Sequence, residues 1–177
     1  KFFKVKDELG LSDTTVYLNV SAHTIMHQEF CKIFSRFVEE NNIKENEFGL
    51  EITETAELED TKKAGESLER LKKRGIKIAL DDFGAGYASL KYIRDLPIDV
   101  VKLDRHFTSN ISDPSTSRLI KFVSDVCAEL NLEMIGEGIE TEKEKNMMIG
   151  LGCLTGQGFL MHMPSFIEDI KKENNDG

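Results

Sequence analysis

Apolar positions along the chain follow two different periods. Short runs rich in β-branched residues stand at Thr15-Val16-Tyr17-Leu18-Asn19-Val20, Phe48 to Ile52, Ile76 to Leu80, Val100 to Leu103 and Glu133 to Gly136, with a weaker run between Leu154 and Leu160. Each is bounded by polar or glycine-bearing segments and reads as a strand. The intervening stretches carry the helical period. Ile25 to Val38 puts Ile33, Phe34, Phe37 and Val38 on one face, and Asp60 to Arg74 repeats Ala64, Leu68 and Leu71 before stopping at the C-cap candidate Gly75. Ser117 to Leu130 groups Leu119, Ile120, Val123, Val126, Cys127 and Leu130. Thr141 with Glu144, and Ser165 with Glu168, have capping-box spacing, so helices are predicted to start there.

Six strand signals alternating with helices imply a parallel sheet, because each helical crossover returns the chain to the same edge. Several strands are apolar on both faces, as expected of a sheet covered by helices. A doubly wound open sheet and a barrel both satisfy that pattern, and the polar residues separate them. An open sheet gathers its chemistry at one switch point, whereas every strand of a barrel ends at the same mouth. Here nearly every strand is followed by a chemically active side chain: Asn19, Glu51 and Glu54, Asp81 and Asp82, Lys102 and Asp104, Glu137 and Glu140, and Gln157. The expected fold is therefore α/β, a TIM-like barrel.

Composition narrows the function. The 177 residues carry 23 basic and 32 acidic side chains, a formal charge of −9, which argues against polymeric nucleic acid as a ligand and against an anionic membrane surface. No apolar run approaches the roughly 18 residues of a membrane span, and the cysteine usage leads to the expectation of a reducing cytoplasm. Three widely spaced cysteines, Cys31, Cys127 and Cys153, suggest neither a disulfide framework nor a zinc site. His23 and His27 lack the glutamate of a zinc-protease helix and read as exposed. Gly84-x-Gly86 lacks the third glycine of a dinucleotide fingerprint.

Carboxylates crowded at one mouth would repel one another unless a cation joined them. Carboxylate and amide oxygens are hard ligands, suited to Mg²⁺, Mn²⁺ or Ca²⁺ rather than zinc. Neighbouring residues of a strand point to opposite faces, so Asp81 and Asp82 can share a site only where the strand ends and the backbone turns. Two ions about 3.5–4 Å apart, bridged by one such aspartate, form a site for hydrolysing phosphate esters. Lys102 would add positive charge beside the attacking water or the phosphoryl oxygens.

Taken in order, Leu18-Asn19-Val20-Ser21, Leu50-Glu51-Ile52-Thr53-Glu54, Asp81-Asp82-Phe83-Gly84-Ala85-Gly86-Tyr87-Ala88-Ser89-Leu90, Val101-Lys102-Leu103-Asp104, Glu137-Gly138-Ile139-Glu140-Thr141 and Gly156-Gln157-Gly158-Phe159 resemble the motif series of the bacterial EAL domain. The resemblance runs from about Tyr17 to Pro164. It implies metal-dependent hydrolysis of cyclic di-GMP to linear pGpG, with Mg²⁺ or Mn²⁺ as cofactor. It also implies that Asn19, Glu51 and Asp81 bind one metal and that Asp81, Asp82 and Glu137 bind or adjoin a second. Lys102 would contact the attacking water and Glu137 would be its general base. Glu54 would hold the loop after Asp82, a segment implied to serve metal binding and homodimerisation. Asp104, Glu140 and Gln157 would support the metal and water shell, and a sensor or GGDEF domain could share the parent chain, which could itself be membrane-anchored elsewhere.

Departures from the family pattern shape the expectation further. No Glu-Ala-Leu tripeptide, whose glutamate is a metal ligand in the family, occurs in the 177 residues. Ala85 stands for a customary threonine, and Met161-His162-Met163 for small polar residues. With six of eight barrel strands signalled, residues 1–170 read as a partial EAL domain lacking its opening hairpin, and residues 171–177 as a disordered tail. The chain by itself is then expected to be weak or inactive as a phosphodiesterase. The alternative is a degenerate module that binds cyclic di-GMP or a protein partner without turnover.

Overall fold

A computed structural model describes residues 6, 11, 14–53, 60–86, 89–166 and 169. Its strands are β1 (Val16–Asn19), β2 (Phe48–Thr53), β3 (Lys77–Phe83), β4 (Val100–Leu103), β5 (Glu133–Gly136) and β6 (Thr155–Gly156). They pair in parallel, in the order of the sequence. Sequential order is the outcome of winding always in one direction, and it excludes the reversal of a doubly wound sheet. The six strands curl into a half-barrel. Helices α1 (Ala22–Met26) and α2 (Gln28–Glu40) follow β1, α3 (Thr61–Lys72) follows β2, and α4 (Ser89–Asp95) follows β3. After β4 come α5 (Arg105–Ser109) and α6 (Pro114–Glu129), and after β5 comes α7 (Glu142–Gly150).

Strand alternation divides apolar from polar work. Leu50 and Ile52, Ile78 and Leu80, and Val101 and Leu103 are fully buried and share one core with Ala64, Leu68 and Leu71 of α3. Burying a side chain of this size contributes about 1.5–3 kcal/mol, so this layer between sheet and helices supplies most of the cohesion. Glu51 and Lys102, between the members of their pairs, and Asp81, next after Leu80, face the other side of the sheet, as a period of two requires. Gly75 ends α3 at φ +78°, and a β-carbon there would approach Glu45 Cα to 2.7 Å. Glycine is needed for both reasons.

Some expectations require correction. The helix expected over Ile25 to Val38 is two helices, because His27 adopts an extended conformation (φ −75°, ψ 123°) between α1 and α2. Ile33 is 65% exposed and Phe37 also reaches solvent, so α2 buries only Phe34 and Val38 of the expected four. Leu119 and Leu130 are likewise exposed on α6, which begins three residues earlier than expected. Asp113 caps it, its carboxylate accepting from the N–H groups of Ser115 and Thr116, with Pro114 in the first turn. The Thr141–Glu144 capping box is present at α7. Glu168, the partner expected for Ser165, lies outside the described residues, as do Glu54 and the tail 171–177.

Candidate active site at the mouth of the half-barrel

The Asp81-Asp82 pair sits in a bulge rather than at a strand end. Leu80 pairs with Val101 and Phe83 with Leu103, so β3 spends two residues where β4 spends one, and that one is Lys102. The extra residue lets consecutive side chains share a face. Asp82 carries the distortion at φ +54°, a left-handed conformation that aspartate tolerates better than most residues. Asp81, Asp82 and Glu137 each offer a carboxylate oxygen, and these oxygens lie within 4.8 Å of one another.

Lys102 is the hub. Only 6% exposed, its ammonium lies 2.8 Å from carboxylate oxygens of Glu51, Asp81 and Glu137. Burial pulls the Lys102 pKa down, but the hydrogen bonds to Asp81, Glu137 and Glu51 more than offset that and raise it above the ordinary lysine value. It stays charged. For Glu137, burial raises the pKa above the usual carboxylate range, Lys102 opposes it, and the charges of Asp81 and Asp82 add to it. Gln157 fixes the other constraint on Glu137, donating from Nε2 to Oε1 at 2.6 Å. The Gln157 N–H donates to the Gly136 carbonyl and the Ile139 N–H to the Gln157 carbonyl, which keeps the two loops in register.

Asn19 ends β1 opposite Glu51 and is exposed. Asp104 accepts from the His106 N–H at 2.8 Å and caps α5, so it is a structural cap as well as a wall of the mouth. Glu140 is exposed on the same wall, its N–H given to the Glu144 carboxylate of the capping box. Tyr17 lies deeper on the inner face. Its phenol is pushed up to about 12, chiefly by burial and then by the charges of Glu133, Glu51 and Asp99.

A cavity of about 660 Å³ opens beside this cluster, bounded by Asp82, Asp104, Glu137, Glu140 and Gln157 on one side and by the segment from Gly158 to Ser165 on the other. Two of its wall residues escaped the sequence reading. Arg105 is held at the rim because Gly138, at φ +65°, leaves room where a β-carbon would meet Arg105 Cβ at 2.7 Å. Its position directly after Lys102-x-Asp104 was the available signal. His162 was visible only as a departure from small polar residues.

The donor set suits a hard divalent cation. All candidate ligands are oxygens, and among the described residues three carboxylates share the Lys102 ammonium, leaving negative charge to be neutralised. The family model that matches this sequence is the EAL domain, over residues 3–164. The chain belongs to the EAL domain family. This EAL domain is 33% identical over 155 residues to a cyclic di-GMP phosphodiesterase of Pseudomonas aeruginosa, covering 87% of this chain and 26% of that protein. The chain thus spans about a quarter of that relative's length. Among solved structures it is similar to the EAL domain of Mycobacterium smegmatis DcpA, with a TM-score of 0.86 at 28% identity over 92% of this chain and 74% of that one. It also resembles the MucR phosphodiesterase of Pseudomonas aeruginosa solved with cyclic di-GMP, with a TM-score of 0.85 at 29% identity over 94% and 68% of the two chains. EAL domains of this kind form TIM-like barrels, in agreement with the curl of the sheet.

Proposed function

We propose that this domain hydrolyses cyclic di-GMP to linear pGpG. The observation that carries the reading is the Lys102 hub, with Glu51, Asp81 and Glu137 gathered on one ammonium and Asp82 swung alongside by the bulge. Asp81, Asp82 and Glu137, with Glu51 and Asn19 beside them, would hold Mg²⁺ or Mn²⁺. Bound ions of that charge polarise phosphoryl oxygens and lower the pKa of water. Hydrolysis adds water across one phosphodiester: a P–O bond forms to the water oxygen, the P–O3′ bond breaks, and the 3′ oxygen leaves with a proton. Glu137, hydrogen-bonded by Lys102 and Gln157 beside Asp81 and Asp82, would take the proton from water. Lys102 keeps its proton, orients Glu137 and presents fixed positive charge to the reacting centre. Gln157 positions Glu137, while Asp104, Glu140 and, by resemblance, Glu54 support the surrounding loops.

The family's Glu-Ala-Leu glutamate does not occur in these 177 residues, so we expect turnover by this chain alone to be weak. Gly84 to Gly86 open the loop through which a homodimer would form; its next residues, 87 and 88, lie outside the described set. The deciding experiment incubates cyclic di-GMP with Mn²⁺ and either this chain or a chain extended at its N-terminus by a Glu-Ala-Leu hairpin, and follows pGpG by chromatography. Faster release from the extended chain supports the reading. Binding of cyclic di-GMP with no pGpG from either chain would establish the non-catalytic alternative instead.

A further inference from the structure

On the outer layer, away from the mouth, a cleft of about 800 Å³ runs between α2 and α3. Lys32 and Arg36 line it from α2, and Arg70, Lys73 and Arg74 from the end of α3. A smaller hollow shares Cys31, Lys32 and Arg70 with it and continues the row to Lys63. Five cations on one cleft, with Lys63 in the adjoining hollow, stand out in a chain of charge −9. Part of this charge is already spoken for: Arg74 pairs with Glu39, Lys32 with Glu29 at 2.9 Å, and Lys63 with Asp60 at 3.5 Å. Arg36, Arg70 and Lys73 have no side-chain ion pair among the described residues.

We propose that this cleft is a docking groove for an extended acidic polypeptide segment. The cations are strung along the groove rather than aimed at one point. From Lys63 to the C-cap Lys73 the row follows α3 for ten residues, about 15 Å at 1.5 Å per residue, with Arg74 just beyond, and Lys32 and Arg36 repeat it on α2 at i,i+4 spacing. An extended chain covers that length with about five residues. Glu39 and Glu66 interrupt the row. A compact polyphosphate would meet them as repulsion, whereas a polypeptide can offer them backbone N–H groups and place its carboxylates on the arginines between. A membrane or a duplex presents negative charge well beyond the cleft, where the acidic remainder of the domain opposes it. A short segment stays within about 8 Å, the screening length at physiological salt. The proposal is independent of the catalytic reading, because none of these residues lines the mouth.

Fluorescence anisotropy with a labelled deca-glutamate peptide tests it on the 177-residue chain. Arg36→Glu with Arg70→Glu should weaken binding at least about tenfold, because two attractive ion pairs at the rim are replaced by two repulsive ones. Lys121→Glu with Lys145→Glu on α6 and α7, matched in charge, should leave affinity within about twofold. Should the reversed pair fail to fold by circular dichroism, Arg36→Gln with Arg70→Gln carries the same comparison. Equal weakening in both double variants would overturn the groove. So would tighter binding of phosphatidylserine vesicles or duplex DNA that depends on Arg36 and Arg70.

Discussion

The two ends of the sheet use the same residue types in different ratios. At the N-terminal end Lys77 faces Glu133 at 3.6 Å and Lys72 meets Asp99 at 2.6 Å, one cation to one acid, all partly solvated. At the C-terminal end Lys102 serves Glu51, Asp81 and Glu137 at once, with Asp82 alongside, and solvent hardly reaches it. The first arrangement neutralises itself and is worth little. The second keeps an excess of buried negative charge, which costs stability and is retained where a bound cation gives it a use.

The same substitution at both ends gives the widest contrast. Lys102→Met should lower pGpG release by the N-terminally extended chain about 10²–10³-fold and, in EDTA, destabilise the 177-residue chain by about 3–5 kcal/mol in urea unfolding, since three carboxylates lose the ammonium they share. Lys77→Met should change unfolding by less than about 1 kcal/mol and leave pGpG release intact. Equal effects from the two lysines would erase the distinction. Next in size is Leu80→Ala, in the layer behind the bulge, with a loss of about 2–5 kcal/mol; an intact rate per folded molecule would show that the bulge survives loosening of the core. Gln157→Ala should then reduce Mn²⁺ affinity or rate by about 10–100-fold with little change in stability, the pattern of an orienting hydrogen bond.

The smallest effect lies in the capping box, which steadies the loop between Glu137 and α7. The N–H of Glu140 first, and that of Thr141 after it, hold the Glu144 carboxyl below its ordinary 4.5. Its folded pKa is depressed, so its contribution is present above pH 4.5 and lost as pH falls through the lowered value. Glu144→Gln should flatten the fall in unfolding free energy, followed by urea denaturation, between about pH 5 and pH 3 by roughly 0.5 kcal/mol. An unchanged acid limb would show that the cap adds nothing to stability there.

β4 is buried throughout and β2 and β3 nearly so, which leaves apolar runs that need no tertiary information, and the less buried β1 and β5 still carry β-branched residues, so all five were legible within three residues at either end. The two-residue β6 was the weakest signal, as it is the shortest strand. The break at His27 was not legible, because the apolar period passes through it unchanged. The site was readable through its residue types in series, yet Lys102 alone would pass for any lysine, and Arg105 and His162 carried no chemistry until the cavity placed them.

Alternation and capping are local properties, so the order and direction of the strands, and the kinds of side chain that follow them, are written along the chain. Folding in three dimensions was needed for the rest: one extra residue in β3 turns both aspartates to a single face, and one ammonium comes within hydrogen-bond reach of three acids, from β2, β3 and the loop after β5. Those contacts join residues 21 to 51 positions apart along the chain. Their geometry depends on strand register and curl, which no short stretch of sequence contains.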